Sequence, residues 1–178
     1  MIAMRCFGRD WIERWTKDLR CNNHNILETA IAALQLVGYL AESGLPFQFR
    51  GGTCLMLMVQ PVRRLSVGVD IVTQASPQEL EEVLRTISGL SPFQEYQPDP
   101  ARDRALPPKK HYRLRYPSLF HPPPHYVKLD VLFEAAPAKL PAAIPIHVPF
   151  IELVREVHVV TPSIDAMLGD KLTAFAPT

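Results

Sequence analysis

The chain has 178 residues, 47 % of them hydrophobic and 21 % charged, with a formal net charge of +1. This composition is that of a globular protein with one buried core, and it excludes a disordered chain. A net charge close to zero excludes a protein that binds nucleic acid through bulk charge alone, so any basic surface must be local. The longest apolar stretch, residues 30–40, is far too short to span a bilayer, and the start of the chain has no apolar core of a signal peptide. The three cysteines have no metal-ligand spacing and are predicted to be reduced thiols in a cytoplasmic protein.

The first predicted elements alternate between helix and strand. Apolar residues at helical spacing predict a long helix over 22–43, which a glycine and a proline end. In chain order there follow a strand over 47–50, a short apolar helix over 53–59 and a strand over 67–72. A capping box at 76–79, with proline in the first helical position, then predicts a helix to about residue 88.

Strands joined by proline-rich connections are predicted for the second half of the chain. The segment 89–110 is rich in proline and charge and is predicted to be a loop. Strands are then predicted over 111–116, 125–134, 146–148 and 157–160. The strand over 125–134 alternates between apolar and polar residues, which predicts that Asp130 lies on a polar face.

A final helix is predicted after the last strand. Thr161 is its predicted cap, and Pro162 occupies its first position. Its predicted buried stripe consists of Ile164, Leu168, Leu172 and Phe175.

A turn with two glycines joins the first predicted strand to the short helix. Gly51 and Gly52 let the backbone approach a phosphate closely, and the start of the helix offers free N–H groups. The hydroxyl of Thr53 is a further donor for a phosphate oxygen. A plain turn between strand and helix has a similar sequence, so the turn predicts a phosphate site only together with the residues that follow it.

Two carboxylates within predicted strands supply the second part of this hypothesis. Asp70 lies inside an apolar strand, where aspartate is disfavoured, and Asp130 lies in the middle of a later strand. Two-metal phosphoryl transfer uses carboxylates on adjacent strands to hold Mg²⁺ against a triphosphate. The alternative is a structural role, in which these carboxylates pair with a neighbouring cation such as Arg64 or Lys128.

Several basic residues and one histidine pair are open to two interpretations. Lys171, at the edge of the apolar stripe of the final helix, either reaches a neighbouring site or lies at the surface. Arg113 and Arg115 share a strand face. This face either binds along an RNA backbone or a triphosphate, or it is a solvated basic edge. His121 and His125 flank three prolines, and a stiff loop is favoured over a metal site because no third ligand is apparent.

Three segments together resemble one protein family. They are Arg50-Gly51-Gly52-Thr53-Cys54-Leu55, Arg64-Leu65-Ser66 before the strand with Asp70, and Gly169-Asp170-Lys171-Leu172-Thr173-Ala174-Phe175. In wording and order they are similar to the AbiEii/AbiGii family of nucleotidyltransferase toxins from bacterial toxin–antitoxin and phage-defence systems. The resemblance covers about residues 22–178. It implies a polymerase-β-like nucleotidyltransferase fold of the α/β (α+β) class, in which a small mixed sheet carries helices on one face, and a single domain over residues 1–178.

The resemblance also implies ligands, partners and site residues. The ligands would be a nucleoside triphosphate (NTP) and Mg²⁺, and the reaction would transfer a nucleotide to an acceptor, with tRNA as one candidate. A cognate antitoxin protein would be the partner, in the cytoplasm and not at a membrane. The implied nucleotide-binding residues are Gly51, Gly52, Thr53, Arg64 and Ser66. The implied catalytic residues are Asp70, Asp130 and Lys171, of which Asp70 and Asp130 would hold the metal.

The sequence departs from the family pattern at two places. Gly68 stands where the family has an acidic residue two positions before Asp70, and loss of a metal ligand is expected to slow the reaction by about a hundredfold or more. The family also continues past residue 178 with a helical region, so the chain is expected to be a piece of a longer protein. Two main hypotheses stay open: a nucleotidyltransferase impaired by Gly68, and a non-catalytic domain that binds a nucleotide or a protein. A domain that binds no ligand is the third.

Overall fold

The computed structural model describes residues 1–135 and 142–174, with side chains as far as residue 169. The helices of this part are α1 (Arg9–Asp18), α2 (His24–Glu42), α3 (Gly51–Met58), α4 (Pro77–Ile87) and α5 (Ile164–Ala174). Its strands are β1 (Phe47–Arg50), β2 (Gly68–Thr73), β3 (Glu95–Pro98), β4 (Lys109–Tyr116), β5 (His125–Phe133), β6 (Ala142–Pro145) and β7 (His158–Thr161). Short 3₁₀ turns lie at Met4–Phe7 and Pro100–Arg102. Among these helices none combines the length and the hydropathy that a bilayer span requires.

A five-stranded mixed sheet in the order β1-β2-β5-β4-β3 forms the centre of the fold. β2 and β5 are parallel, and the other neighbouring strands are antiparallel. The register places Asp70 opposite Asp130, and in the next strand pair it places Asp130 opposite His111. β6 and β7 form a separate antiparallel pair, and β7 contacts β1. The mixed sheet predicted for the fold is confirmed.

The central helix of the core is α2. Its cap is Asn23, whose side chain accepts the backbone N–H groups of Asn25 and Ile26 at 3.0 and 3.3 Å. The helix contacts β2 and β5, whose inward side chains are at most 2 % exposed: Val69, Ile71, Leu129 and Val131. Burial of each such side chain stabilises the fold by about 1.5–3 kcal/mol. Because strand side chains alternate, Asp70 and Asp130 lie on the opposite face of the sheet.

The segment predicted as a loop over 89–110 is more ordered than expected. It contains the edge strand β3 and the turn Pro100–Arg102, and β4 begins at Lys109, two residues before the predicted start. β3 is short and half-exposed and ends in proline, so its sequence carries no alternation that would predict a strand. Pairing with β4 makes it a strand, because β structure depends more on neighbours than on local preference.

The prediction of a strand over 146–148 is wrong. The strand in this region is β6, which ends at Pro145. Ile146 and Val148 are 1 % and 0 % exposed. These two residues are apolar because they are buried in the core, and they do not belong to a strand.

The predicted start of the final helix is also wrong. Thr161 ends β7, and its hydroxyl donates to the carbonyl of Ala142 at 3.3 Å. Ser163 caps the helix instead, because its Oγ accepts the N–H of Ala166 at 3.3 Å. The first turn of α5 therefore begins at Ile164, after the strand pair has closed.

The predicted buried stripe of α5 is wrong where the structure describes it. Ile164 and Leu168 are 40 % and 49 % exposed, whereas Met167 is 4 % exposed and packs in the core. The side chain of Leu172 and all of Phe175 lie outside the described residues.

One helix was not predicted. α1 buries only Ile12 and Thr16, and most of its other positions are charged or aromatic. Trp11 of this helix donates its indole N–H to the carbonyl of Phe150 at 2.9 Å, which fixes the helix to the rest of the fold.

Candidate functional site

The glycine turn packs directly against Asp70. A Cβ atom added at Gly51 would lie 2.6 Å from the carboxyl carbon of Asp70, and one at Gly52 would lie 2.6 Å from the hydroxyl oxygen of Ser66. Gly51 also has a φ of 76°, which favours glycine. The structure therefore brings together four residues that the sequence assigned to one site.

Thr53 ties the helix after the turn to the strand with Asp70. Its hydroxyl donates to the carbonyl of Gly68 at 2.5 Å, and the residue is 0 % exposed. The hydroxyl therefore serves the contact between α3 and β2. A phosphate at this turn would meet the backbone N–H groups of α3 instead of the hydroxyl.

Cys54, in the first turn of α3, is fully buried. Burial raises the pKa of Cys54 to about 12, while the charge of Arg50 lowers this pKa and the charge of Asp70 raises it. The charges of Arg50 and Asp70 are therefore both felt at Cys54, in the first turn of α3. A thiol with this pKa is protonated at neutral pH and is not a nucleophile.

Position 68 has room for a side chain. No atom lies within 4 Å of the place that a Cβ at Gly68 would take, and Gly68 does not have a positive φ. Its partner across the parallel pair is Lys128, two residues before Asp130. A carboxylate at position 68 would therefore fit the backbone and lie on the same strand face as Asp70.

Asp130 is held by residues that the sequence analysis did not assign to the site. Its Oδ2 lies 3.2 Å from the guanidinium of Arg102, and its Oδ1 lies 3.8 Å from Nε2 of His111. Oδ1 is buried and has no hydrogen-bond partner among the described residues. The expected structural partners, Arg64 and Lys128, are not its partners.

His111 in turn is held by Asp103. Oδ1 of Asp103 accepts the backbone N–H of His111 at 2.9 Å and lies 3.4 Å from its Nδ1. His111 is only 8 % exposed, so the ring is fixed between the two carboxylates of Asp103 and Asp130. Alternation in β4 places His111 on the polar face, but only the strand register shows that it faces Asp130.

The two arginines of β4, Arg113 and Arg115, are each paired with a carboxylate. Arg113 donates from Nε and Nη2 to Asp99 at 3.0 and 2.6 Å, and Arg115 lies 3.3 Å from Glu95. These pairs neutralise the face that was one candidate for following a nucleic-acid backbone.

The two arginines before β2 differ from those of β4. Arg63 and Arg64 line a cleft of about 390 Å³ together with Arg20 and the apolar side chain of Val67. Within residues 1–135 and 142–174 none of these three arginines has a carboxylate partner. Leu65 and Val67, which line this cleft, are the chain neighbours of Ser66, and Ser66 lies against Gly52 of the glycine turn.

Lys171 belongs to α5, and its side chain lies outside the described residues. α5 contacts α3, the helix that follows the glycine turn. The helix that carries this lysine is therefore a neighbour of the candidate site.

The histidine pair His121 and His125 lies away from these carboxylates in sequence and register. Their ring centroids are 5.5 Å apart. Among the described residues there is no group of three or more histidine, cysteine, aspartate or glutamate side chains that could hold a metal ion. Any ion at Asp70 and Asp130 would therefore complete its shell with ligands from outside the protein.

Comparison with known proteins gives this arrangement a family. A family model described as "Nucleotidyl transferase AbiEii toxin, Type IV TA system" matches residues 36–178. The chain belongs to the AbiEii family. The resemblance inferred from the sequence is confirmed, and the match includes the glycine turn, both carboxylates and the motif with Lys171. None of the curated proteins compared matches the chain.

Two solved structures share the fold. One, from H. pylori and described as a nucleotidyltransferase, has a TM-score of 0.52 at 18 % identity over 82 % of this chain and 56 % of its own. The second, JHP933 from Helicobacter pylori, has a TM-score of 0.52 at 16 % identity over 83 % of this chain and 55 % of its own. The chain thus spans a little over half the length of these structures. With the family match they confirm the nucleotidyltransferase fold.

Proposed function

We propose that the chain binds an NTP at Gly51, Gly52 and Thr53 and transfers a nucleotide from it to an acceptor. The observation that supports this is the contact of the glycine turn with Asp70, beside which Asp130 lies in register. A triphosphate on the turn would accept N–H groups from the start of α3 and would lie next to both carboxylates.

The two carboxylates fit one Mg²⁺ ion. Proteins commonly bind Mg²⁺ through one or two carboxylates, with phosphate oxygens and water as the other ligands. Asp70 and Asp130 provide two carboxylates on adjacent strands, and the buried Oδ1 of Asp130 has no partner among the described residues. The bound ion would neutralise triphosphate charge. With Gly68 in place of an acid, a second ion lacks its ligand.

The remaining roles follow from position. Arg64, next to Ser66 at the turn, and Lys171 of α5 would offset phosphate charge. An acceptor hydroxyl would attack the α-phosphate, and pyrophosphate would leave. The family description as a type IV toxin supports an antitoxin protein as partner and a role in the bacterial cytoplasm, and tRNA is the candidate acceptor.

A second candidate function is a non-catalytic domain that binds a nucleotide or a protein. Gly68 favours it, because this position lacks a carboxylate although the backbone has room for one. The two candidates differ in what a carboxylate at position 68 would do.

The experiment is calorimetric titration of the chain with each NTP, with and without Mg²⁺. We compare the native chain with Gly68→Asp and with Val67→Asp, which adds the same charge one residue earlier, at an exposed position before the start of β2. We expect Mg²⁺-dependent binding by the native chain and binding at least about tenfold tighter by Gly68→Asp, because the added carboxylate is a metal ligand. Val67→Asp should not tighten binding.

Each alternative result has a defined meaning. Binding that ignores both Mg²⁺ and the change at Gly68 supports the non-catalytic domain. No binding of any NTP by any of the three proteins would overturn the nucleotide site. Transfer of radiolabel from an NTP to tRNA by Gly68→Asp, measured on gels, tests the acceptor.

A further inference from the structure

We infer that the arginine-lined cleft beside the glycine turn binds the phosphate backbone of a single-stranded nucleic acid, the strand whose hydroxyl accepts the nucleotide. The cleft has a volume of about 390 Å³ and lies between the end of α1, the start of α2 and the segment that leads into β2. This inference rests on the proposed nucleotidyltransferase function and assigns a place to its acceptor. Arg20, on the α1 side of the cleft, lies outside residues 36–178, which match the family model.

The first argument is the charge of the cleft. Its lining includes the exposed residues Arg20, Arg63 and Arg64, and among the described residues no acidic side chain lines it. None of the three guanidinium groups has a hydrogen bond or an ion pair with another described residue. Guanidinium groups bind phosphate oxygens through two parallel hydrogen bonds, so three of them around one cleft favour a ligand with several phosphates.

The second argument is the backbone conformation of Arg20. In the described part of the chain it is the one non-glycine residue with a positive φ, at 51°. It follows the last turn of α1, where Arg20 N–H donates to the carbonyl of Lys17 at 3.0 Å and Cys21 N–H to that of Thr16 at 2.9 Å. Glycine usually occupies this position of a helix end, because a side chain is disfavoured there. The side chain of Arg20 makes no hydrogen bond with a described residue that would offset this cost, and costly conformations are concentrated at functional sites.

The third argument is the apolar part of the cleft. Ile26 and Val67 line it and are 37 % and 40 % exposed. Exposed apolar side chains beside guanidinium groups match a nucleotide, which has a charged phosphate and a base with apolar faces. The cleft has the size of a small-ligand site, so it holds bases that a single strand exposes and that a duplex keeps stacked inside.

The fourth argument is the position of the cleft. Leu65 and Val67 line it and flank Ser66, whose hydroxyl lies against Gly52. A strand bound in the cleft would therefore pass beside the turn on which the triphosphate is proposed to bind. Transfer requires the acceptor hydroxyl to be held close to the α-phosphate, and the arginines would hold the strand there.

The experiment measures binding of the full chain to a fluorescently labelled single-stranded RNA of about 12 nucleotides by anisotropy, over a series of salt concentrations. Arg20 and Arg63 are tested, because Arg64 is already assigned to the triphosphate. We expect Arg20→Gln and Arg63→Gln each to weaken binding by at least about threefold and to reduce the salt slope by about 0.7, since each removes one phosphate contact. The matched control is Arg85→Gln, which removes the same charge from an exposed position of α4 outside the cleft and should change the affinity by less than about twofold.

The variant Arg20→Gly separates binding from folding. Glycine suits the positive φ at this position, so the melting temperature should stay the same or rise. The variant should nevertheless bind the strand as weakly as Arg20→Gln does. Native affinity for the strand in a folded Arg20→Gly would overturn the inference.

Two further probes identify the ligand: DNA of the same sequence and a peptide of glutamates. Tighter binding of the RNA than of the DNA would support the inference with RNA as the acceptor. Equal binding would support it with the phosphate backbone as the common feature. Binding of the peptide that depends on Arg20 and Arg63, without binding of either nucleic acid, would overturn the inference in favour of an acidic protein partner.

The results also separate this inference from the proposed function. NTP binding by the native chain, with strand binding absent or independent of Arg20 and Arg63, would overturn the inference and leave the proposed function standing. Strand binding that depends on both arginines, with no NTP bound by the native chain or by Gly68→Asp, would keep the cleft as a nucleic-acid site and overturn the proposed function.

Discussion

At the residue scale, Gly51 and Gly68 differ in whether a side chain would fit in their place. The position of a Cβ at Gly51 is already occupied by the Asp70 carboxyl group, whereas the position of a Cβ at Gly68 is empty. Gly51 is thus required by the contact that forms the turn. Gly68 is not required by packing, so glycine at this position has no structural cause in the described residues.

Alanine substitutions should separate these two glycines. We expect Gly51→Ala to lower the free energy of unfolding by about 2–4 kcal/mol, because of the positive φ and the overlap with Asp70. Gly68→Ala should leave stability unchanged or raise it by about 0.5–1 kcal/mol, since glycine in a strand carries an entropy cost. Urea titrations followed by circular dichroism measure both values. Equal stabilities of the two variants would contradict the geometry of the turn.

At the scale of elements, a buried acid on α2 connects the central helix to the proline-rich segment between β4 and β5. Glu28 is 2 % exposed, and its carboxylate accepts the hydroxyl of Ser118 at 2.5 Å and the N–H of Leu119 at 2.7 Å. The connection between β4 and β5 is therefore tied to the core at its beginning. This tie holds the two strands that carry His111 and Asp130 against α2.

Two glutamates of α2 allow a matched comparison. Glu28→Ala should lower the free energy of unfolding by about 1–3 kcal/mol, because it leaves a donor of this segment without its partner. Glu42→Ala removes an ion pair with the exposed Arg155 and should cost less than about 1 kcal/mol. Chemical denaturation of both variants tests the difference. A loss at Glu42 as large as that at Glu28 would show that the buried contacts do not stabilise the fold in this way.

At the scale of the whole molecule, burial in one core keeps several thiol and phenol groups protonated. Burial is the main cause that raises the pKa of Cys54 and of Tyr116 to about 12 and that of Cys6 to about 11. For Tyr116 the hydrogen bond with Thr29 acts in the opposite direction. The folded chain therefore holds these groups neutral at pH values where the unfolded chain ionises them.

The stability of the molecule should fall at alkaline pH. Unfolded cysteine and tyrosine ionise near pH 9 and 10, so above pH 9 the unfolded state binds fewer protons than the native state. We expect the stabilising contribution of these groups to be complete below pH 9 and to be lost progressively as the pH rises toward 12. Urea unfolding at pH 8, 9 and 10 measures this, and Cys54→Ala should reduce the slope. A stability that stays constant or rises over this interval would contradict the prediction.

Part of the candidate site was readable from the sequence because its signals are local. The glycine turn, the strand with Asp70 and the alternating strand with Asp130 each follow from spacing within a few residues. The capping box at Ser76 is of the same kind, since its reciprocal contacts with Glu79 span three residues. Arg102, Asp103 and His111 were missed, because nothing in the proline-rich segment shows which strand its charged residues will reach.

The sequence by itself determined the family, the long central helix, the glycine turn before α3 and the polar faces of β2 and β5. These features follow from periodicity, capping and short sequence motifs, which are properties of neighbouring residues. Only the tertiary structure decided that β3 is a strand, that Arg113 is paired with Asp99, and that Asp130 lies between Asp70 and His111. The physical reason is that strand register and ion pairing depend on segments that are distant in the chain. Local preference does not specify which of these segments meet, because their contacts form only when the whole core closes.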